Sequence, residues 1–255
     1  MLFILYLAIG LLQAGLIIAQ TCPEIPDTGV VIGDPVPIRP DHIPQGCSNF
    51  EILVGKQLTS SIPNKRLSIS QARGTSEPND EHGNGKFGVI VGDPIVSNTT
   101  LILPGARGYP VQYPASSAII SSTRQGAEDV VNRLTTQAAT CPGQTFSLVG
   151  YSQGAAVMHA AARNIPRSLY PRIKSLVMFG DGYFRLGGTL SRFPFGLDEK
   201  VMQVCAEGDP TCDRDGTCTY YHLTYIRPEY INPAVEFIVE GFKGGLMETA
   251  DTERS

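Results

Sequence analysis

A serine stands between two glycines in the sequence Gly-Tyr-Ser-Gln-Gly at residues 150–154. An apolar run at 146–149 precedes it, and an alanine-rich run at 155–162 follows it. This pattern predicts a buried strand, a tight turn and a helix. Such a turn is the G-x-S-x-G nucleophile elbow, in which the serine hydroxyl is exposed for attack on a carbonyl carbon. Ser152 is therefore the candidate nucleophile, and the alternative is an ordinary serine in a glycine-rich turn.

A serine hydroxyl needs a neighbouring base to become a good nucleophile, and that base needs an acid that orients it. In elbow enzymes the chain order is serine, then acid, then histidine. His42 and His82 precede Ser152, and His159 lies about 10 Å along the predicted helix. Chain order therefore selects His222 as the base and predicts that His159 packs or faces solvent. The alternative is that His222 simply packs among the tyrosines around it.

Asp209 is the best candidate for the orienting acid. It follows a predicted strand at 201–205, and catalytic loops lie at the carboxyl ends of parallel strands. Cys205 and Cys212 flank it, and a disulfide between them would restrain the loop. Asp181 also follows a predicted strand and is the second candidate.

The surrounding elements alternate between strands and helices, which predicts an α/β domain with a parallel sheet covered on both faces. Helical spacing of apolar residues predicts an amphipathic helix over about 117–139. Asn232 is predicted to cap a last helix that carries Pro233 in its first turn. The predicted strands are 50–54, 87–91, 99–103, 146–149, 175–179 and 201–205.

Composition fits one domain in an oxidising compartment. The 255 residues are 42% hydrophobic and 17% charged, with a net charge of −4 and no basic face for nucleic acid. Residues 1–19 are predicted to be a secretory signal peptide, and the alternative is a retained signal anchor. Residues 20–46 are predicted to be an irregular arm rich in proline and glycine, and residues 244–255 a flexible tail.

Six cysteines fit a secreted protein, although they allow 15 pairings. No C-x-x-C pair or histidine cluster indicates a metal site, and no cofactor is expected. Asn98 begins an Asn-Thr-Thr sequon, which could be glycosylated on a surface loop.

Four motifs in order resemble the cutinase family of serine esterases: "ARGTSEP" at 72–78, "GYSQGA" at 150–155, "CAEGDPTC" at 205–212 and "HLTY" at 222–225. The resemblance covers a predicted catalytic domain at 47–243. It implies a single-domain α/β-hydrolase fold, a three-layer αβα sandwich with a mainly parallel sheet.

The resemblance also implies roles for individual residues. Ser152 would be the nucleophile, His222 the base and Asp209 the orienting acid. The backbone N–H groups of Gln153 and Thr75 would form the oxyanion hole. Disulfide pairing is implied between two cysteines, Cys47 and Cys141, whereas the partners of Cys22 and Cys218 are left open.

One segment departs from the family pattern. Residues 55–71 lengthen the interval between Cys47 and Arg73, and without them "CSNFEILV" would run directly into "ARGTSEP". The codons for Gly55-Lys56 can contain a splice donor and those for Gln71-Ala72 an acceptor, with the reading frame preserved. The segment is therefore either a retained intron or a surface insertion, which loops tolerate well.

The resulting hypothesis is a secreted serine esterase that hydrolyses carboxylic esters through an acyl-enzyme. The expected partner is an ester substrate, either a plant cell-wall polymer such as a cutin-like polyester or a lipid surface; short-acyl esters are also expected substrates. The polar loop at 213–221 slightly favours short-acyl or sugar-bearing esters. A monomer without a stable membrane anchor is expected. The alternatives are an acetylxylan esterase and a catalytically inactive secreted binding protein on the same scaffold.

Overall fold

The structure is a computed structural model that describes residues 22–23, 40–55 and 86–252, with side chains to residue 244. Five parallel strands form one sheet in the order β2-β1-β3-β4-β5. The strands are β1 (Phe50–Gly55), β2 (Ala106–Pro110), β3 (Thr145–Tyr151), β4 (Ile173–Phe179) and β5 (Val201–Val204).

Six α-helices accompany the sheet in the described residues. They are α1 (Gly92–Ile102), α2 (Ile119–Thr140), α3 (Gln153–Ala162), α4 (Gly182–Leu186), α5 (Thr219–His222) and α6 (Pro228–Thr252). Short 3-10 turns lie at Pro40–His42, Arg167–Arg172, Asp198–Lys200 and Thr224–Ile226.

Each face of the sheet carries its own apolar core, because successive side chains of a strand point to opposite faces. On one face, α2 and α3 cover the sheet, and on the other α1 and α6 do. The first core contains Leu53, Leu134, Leu148, Val157 and Leu176; the second contains Ile52, Ile95, Val149, Val177 and Ile238. The predicted α/β class, with helices on both faces of a parallel sheet, is therefore confirmed.

The strands predicted at 87–91 and 99–103 are wrong. Residues 87–91 form turns, and 99–103 fall largely within α1. The β-branched Thr99 and Thr100 favour a strand locally. However, Ile95 and Thr99 lie one helical turn apart and are both fully buried, so packing of one helical side decides the conformation.

Strand β2 is missing from the predicted strands because Gly108 and Pro110 are residues typical of turns. The strand lies at the edge of the sheet, where a proline needs no ladder partner for its missing N–H. Its pairing with β1, and not its own composition, makes it extended.

Helix α6 begins at Pro228, so the predicted cap at Asn232 is wrong. Pro228 fits the first helical position because the backbone N–H there, which proline lacks, would have no intrahelical partner. Pro233 lies inside the helix. The helix continues to Thr252, so the backbone of 244–252 is helical where the sequence suggested an irregular tail. Leu, Met, Glu and Ala in this stretch are good helix formers.

All six cysteines form disulfides: Cys22–Cys218, Cys47–Cys141 and Cys205–Cys212. The last two match the predicted pairs, and the first joins the two cysteines whose partners the sequence left open. Three disulfides fit an oxidising compartment. The Asn98 sequon lies within α1, so its predicted place on a surface loop is wrong.

Several predictions concern residues outside the described ones: the signal peptide, most of the arm at 20–46, nearly all of 55–71, and Thr75. Of the helices described, none combines the length and the apolar character needed to cross a bilayer.

Candidate active site

Ser152 joins β3 to α3 in an unusual backbone conformation. Its φ of 55° and ψ of −118° place a non-glycine residue at positive φ. Such strain costs of order 1–3 kcal/mol and persists where the surrounding structure enforces it. The Ser152 N–H donates to the carbonyl of Phe179 on β4 at 3.0 Å, and the Ser152 carbonyl accepts from Ala155. The serine is partly exposed.

The two glycines that flank the serine allow strand and helix to meet. A Cβ on Gly154 would lie 2.0 Å from the carbonyl oxygen of Gly55, and a Cβ on Gly150 would lie 2.7 Å from the nitrogen of Ala155. Neither position has room for a side chain. These glycines therefore permit the close approach at a strained turn that the sequence predicts.

His222 lies beside this turn. The hydroxyl of Tyr151, the residue before Ser152, donates to the backbone carbonyl of His222 at 2.7 Å, and the two rings are 5.0 Å apart. The imidazole is buried, and its Nδ1 lies 2.8 Å from Oδ2 of Asp209. Its Nε2 is buried and has no hydrogen-bond partner among the described residues.

Asp209 is fully buried after β5 and is held as a charged group. Burial acts to raise its pKa, but the hydrogen bond and charge of His222 outweigh burial, aided by Tyr225 and Thr211. The pKa of Asp209 therefore lies below its ordinary value. Because a carboxylate can only accept, Nδ1 of His222 carries the proton of this hydrogen bond, and Nε2 is left to accept another.

Gly180, directly after β4, makes room for this pair. Its φ is +53°, and a Cβ there would lie 2.7 Å from Cε1 of His222 and 3.1 Å from Oδ2 of Asp209. The residues that follow β4 and β5 thus make room for the His222–Asp209 pair, and Tyr151 at the end of β3 connects this pair to the turn that carries Ser152.

Tyr225 has a role that its sequence context did not predict. Its hydroxyl donates to Oδ2 of Asp209 at 2.6 Å and accepts from the backbone N–H of Ala206 at 3.0 Å. Burial and the charge of Asp209 raise the pKa of Tyr225 well above its ordinary value, so the hydroxyl keeps its proton. Its position three residues after His222, in the "HLTY" motif, was the available signal.

The second candidate acid, Asp181, has a different partner. Its Oδ2 lies 2.8 Å from Nε2 of His159 and accepts from Gln203, while its Oδ1 caps α4 through the N–H of Tyr183. His159 also stacks on Phe193, with ring centroids 4.1 Å apart. Of the two predicted environments for His159, packing or solvent, the structure shows packing. No hydrogen bond joins Asp181 to His222 in the described part of the chain.

Gln153 begins α3, so its backbone N–H is one of the four that a helix leaves without an intrahelical partner. Its side chain donates to the carbonyl of Ser116 at 3.0 Å and accepts from Ser122 at 3.3 Å. These bonds hold the start of α2 against the elbow. The other predicted oxyanion residue, Thr75, lies outside the described residues.

In the described part of the chain, no three His, Cys, Asp or Glu side chains are grouped to hold a metal ion. The parallel sheet, the helices on both its faces and the strained strand-to-helix turn define the α/β-hydrolase class.

Comparison with known proteins narrows this class. The family model for cutinase matches residues 63–242. A cutinase of Hypocrea jecorina is 31% identical over 213 residues, which cover 82% of this chain and 80% of the relative. The chain belongs to the cutinase family.

Two further relatives agree. A probable carboxylesterase of Mycobacterium tuberculosis, Culp3, is 29% identical and covers 69% of each chain. The solved structure of Trichoderma reesei cutinase with a C11Y4 phosphonate inhibitor has 25% identity and a TM-score of 0.57, covering 84% of this chain and 81% of that one. The protein is a carboxylic ester hydrolase, and these relatives do not favour the acetylxylan esterase alternative.

Proposed function

We propose that Ser152, His222 and Asp209 form the catalytic triad of a secreted serine esterase. The observation that carries the proposal is the buried His222–Asp209 pair beside the strained Ser152 turn, with Nε2 of His222 left to accept a proton. A base oriented by a carboxylate beside a partly exposed serine is the arrangement that acyl transfer requires.

The reaction then follows the chemistry of a serine hydrolase. Ser152 Oγ attacks the ester carbonyl carbon as its proton passes to Nε2 of His222, and Asp209 stabilises the imidazolium. The Gln153 N–H, together with that of Thr75, donates to the oxyanion. Collapse of the tetrahedral intermediate breaks the ester C–O bond, and the leaving oxygen takes the proton from His222 and departs as the alcohol. Water then attacks the acyl-enzyme carbonyl while His222 takes its proton. Collapse of the second intermediate breaks the bond to Ser152 Oγ, which takes the proton back from His222 as the carboxylic acid leaves.

The finer assignment rests on the relatives and the chain itself. The matched relatives are named cutinases and carboxylesterases. We therefore expect the substrate to be an ester bond in a plant cell-wall polyester or at a lipid surface. The apolar segment at 1–19 and the three disulfides support secretion. We expect the secreted protein to be a monomer.

The test uses residues 20–255 and hydrolysis of p-nitrophenyl butyrate. We expect Ser152→Ala to lower kcat by at least about 10⁴-fold, because the nucleophile is lost. The same variant should lose labelling by a fluorophosphonate probe. Ser97→Ala, which alters an exposed serine on α1, is the matched control and should keep both. Full activity and labelling in Ser152→Ala would overturn the assignment.

The segment 55–71 begins at the last residue of β1, so in the sequence it separates this strand from the predicted oxyanion residue Thr75. We propose that it is a retained intron. Sequencing of the transcript tests this directly. A mature message that always keeps the 51 nucleotides encoding residues 55–71 would reject the proposal. The same hydrolysis assay on a variant lacking 55–71 reports whether the shortened chain is the more active one.

A further inference from the structure

A surface depression lies between α1 and α6 and encloses about 290 Å³. Leu101 and Ile102 of α1 line it, and they are 82% and 50% exposed, so two large apolar side chains stand in water there. The depression is also lined by Asn98, which begins the only Asn-x-Ser/Thr sequon in the sequence. An acceptor residue for a sugar therefore lies beside apolar surface that the described part of the chain leaves uncovered.

The side chain of Asn98 is placed to carry a group into this depression. Leu101 and Ile102 follow it by three and four positions, so the three side chains lie on one side of α1. The hydroxyls of Ser97 and Thr100 donate to carbonyl oxygens of their own helix. The amide of Asn98 makes no hydrogen bond within the described residues and is partly exposed, so its nitrogen is accessible.

The lining suits a sugar, because a sugar ring has faces of C–H groups and a rim of hydroxyl groups. Leu101 and Ile102 offer apolar contact to a C–H face. On the other side, Asn232 and Glu236 are both exposed and lie one turn apart on α6, where they can bond to hydroxyl groups. Apolar and hydrogen-bonding groups in one depression match a carbohydrate better than a pure hydrocarbon.

We propose that Asn98 carries an N-linked glycan whose first N-acetylglucosamine packs on Leu101 and Ile102. In the secretory pathway, Nδ2 of Asn98 loses a proton and bonds to C1 of this sugar, which a lipid-linked oligosaccharide supplies. The bond from C1 to the lipid diphosphate breaks, and the diphosphate leaves. The sugar then removes apolar surface from water. The inference rests on the proposed secretion and not on the triad.

The glycan is placed away from the proposed triad. Helix α1 ends at Ile102, four residues before β2 begins, so this end of the helix lies at the amino end of the sheet. Ser152 and Asp209 instead follow the carboxyl ends of β3 and β5. We therefore expect p-nitrophenyl butyrate hydrolysis to be the same with and without the glycan.

The first test measures whether Asn98 is modified. The full chain is secreted from a yeast host, and its intact mass is measured before and after treatment with peptide N-glycosidase. Because the sequence has no second sequon, a loss of mass reports on Asn98 alone. Thr100→Ala should abolish this loss, whereas Thr100→Ser keeps the sequon hydroxyl and should preserve it. Secreted protein that loses no mass would overturn the inference and leave the proposed secretion standing.

The second test measures whether the first sugar packs on α1. An endoglycosidase trims the glycan to this sugar, and thermal unfolding is compared with that of Asn98→Gln, which carries none. We expect the single-sugar protein to unfold about 2 °C higher, because the sugar covers apolar surface only in the folded state. The difference should disappear when Leu101→Ala and Ile102→Ala are added to both proteins.

The matched control adds Ile119→Ala and Ile120→Ala instead, which alter an exposed pair on α2 and should leave the difference unchanged. If Asn98→Gln is not secreted, peptide N-glycosidase treatment of the folded protein supplies the sugar-free form for the same comparison. No difference in unfolding temperature, or a difference of equal size in both alanine backgrounds, would overturn the packing of the sugar on Leu101 and Ile102.

Discussion

Three hydrogen bonds converge on the carboxylate of Asp209. His222 and Tyr225 share Oδ2, at 2.8 Å and 2.6 Å, and the N–H of Thr211 donates to Oδ1 at 2.8 Å. Such donors favour the charged form, and they keep the pKa of Asp209 low in spite of burial. Tyr225 therefore acts on the proposed base indirectly, through the acid that orients it.

We predict that Tyr225→Phe lowers the kcat of p-nitrophenyl butyrate hydrolysis about threefold and leaves KM within about twofold. Without the hydroxyl, Asp209 loses one of the donors that keep its pKa low, and its carboxylate orients His222 less firmly. A hydrogen bond to a charged group contributes about 1.5–3 kcal/mol, and only part of it is expected to reach the reaction. Steady-state hydrolysis gives kcat and KM separately.

Tyr230→Phe is the matched control for this experiment. Its ring lies 5.3 Å from that of Tyr225, so the substitution removes a hydroxyl from the neighbouring ring. A purely structural role for Tyr225 would lower the thermal stability of Tyr225→Phe and leave its kcat at 25 °C unchanged. That result would contradict the prediction.

Among the elements, β1 is connected to the edge strand β2 and to helix α2 through one buried acid. Glu51 has no exposed side-chain surface, and it accepts from Arg107 of β2 at 2.7 Å and from two nitrogens of Arg133 of α2 at 2.7 and 2.9 Å. The two arginine side chains are 17% and 10% exposed. The unpredicted edge strand β2 is thereby attached to a helix as well as to the sheet.

We predict that Glu51→Gln lowers the free energy of unfolding by about 3 kcal/mol, because it leaves two largely buried guanidinium groups without their anion. Chemical denaturation measures the loss. The control is Glu128→Gln, which breaks the exposed Arg124–Glu128 pair on α2 and should cost less than about 0.5 kcal/mol. Equal small losses in the two variants would show that the buried network does not stabilise the sheet.

At the scale of the whole molecule, the three disulfides close loops of very different length. Their sequence separations are 196 residues for Cys22–Cys218, 94 for Cys47–Cys141 and 7 for Cys205–Cys212. A long closed loop restricts the unfolded chain more than a short one. The short one, however, contains Asp209.

We therefore predict that two double substitutions differ in whether they mainly lower stability or mainly lower activity. Cys47→Ser with Cys141→Ser should cost roughly 4–5 kcal/mol of stability but leave activity nearly unchanged below the unfolding transition. Cys205→Ser with Cys212→Ser should cost only roughly 2–3 kcal/mol yet lower kcat several-fold, because the Asp209 loop is released.

Denaturant unfolding and butyrate hydrolysis at 25 °C check both variants. The reverse order of stability losses would contradict the loop-length argument. Full activity without the Cys205–Cys212 bridge would show that the hydrogen bonds of Asp209 position it unaided.

The sequence by itself determined what depends on local pattern. The run at 146–162 specified β3, the strained turn and α3, because two glycines and an apolar strand leave few other conformations. Chain order then singled out His222, and Asp209 was favoured because it follows a predicted strand between two cysteines, which indicated their own bridge. The parallel sheet with two covered faces followed from alternation of elements, since buried strands need helices on both sides.

Only the tertiary structure decided what depends on distant partners. Thr99 has a local preference for strand, but burial of one side of α1 makes it helical, and Arg107 becomes part of a strand because β1 and Glu51 hold it there. Likewise, the bond from Tyr225 to Asp209 forms only because folding brings the two residues together. Such contacts join residues far apart in the chain, and local residue preferences carry no information about them.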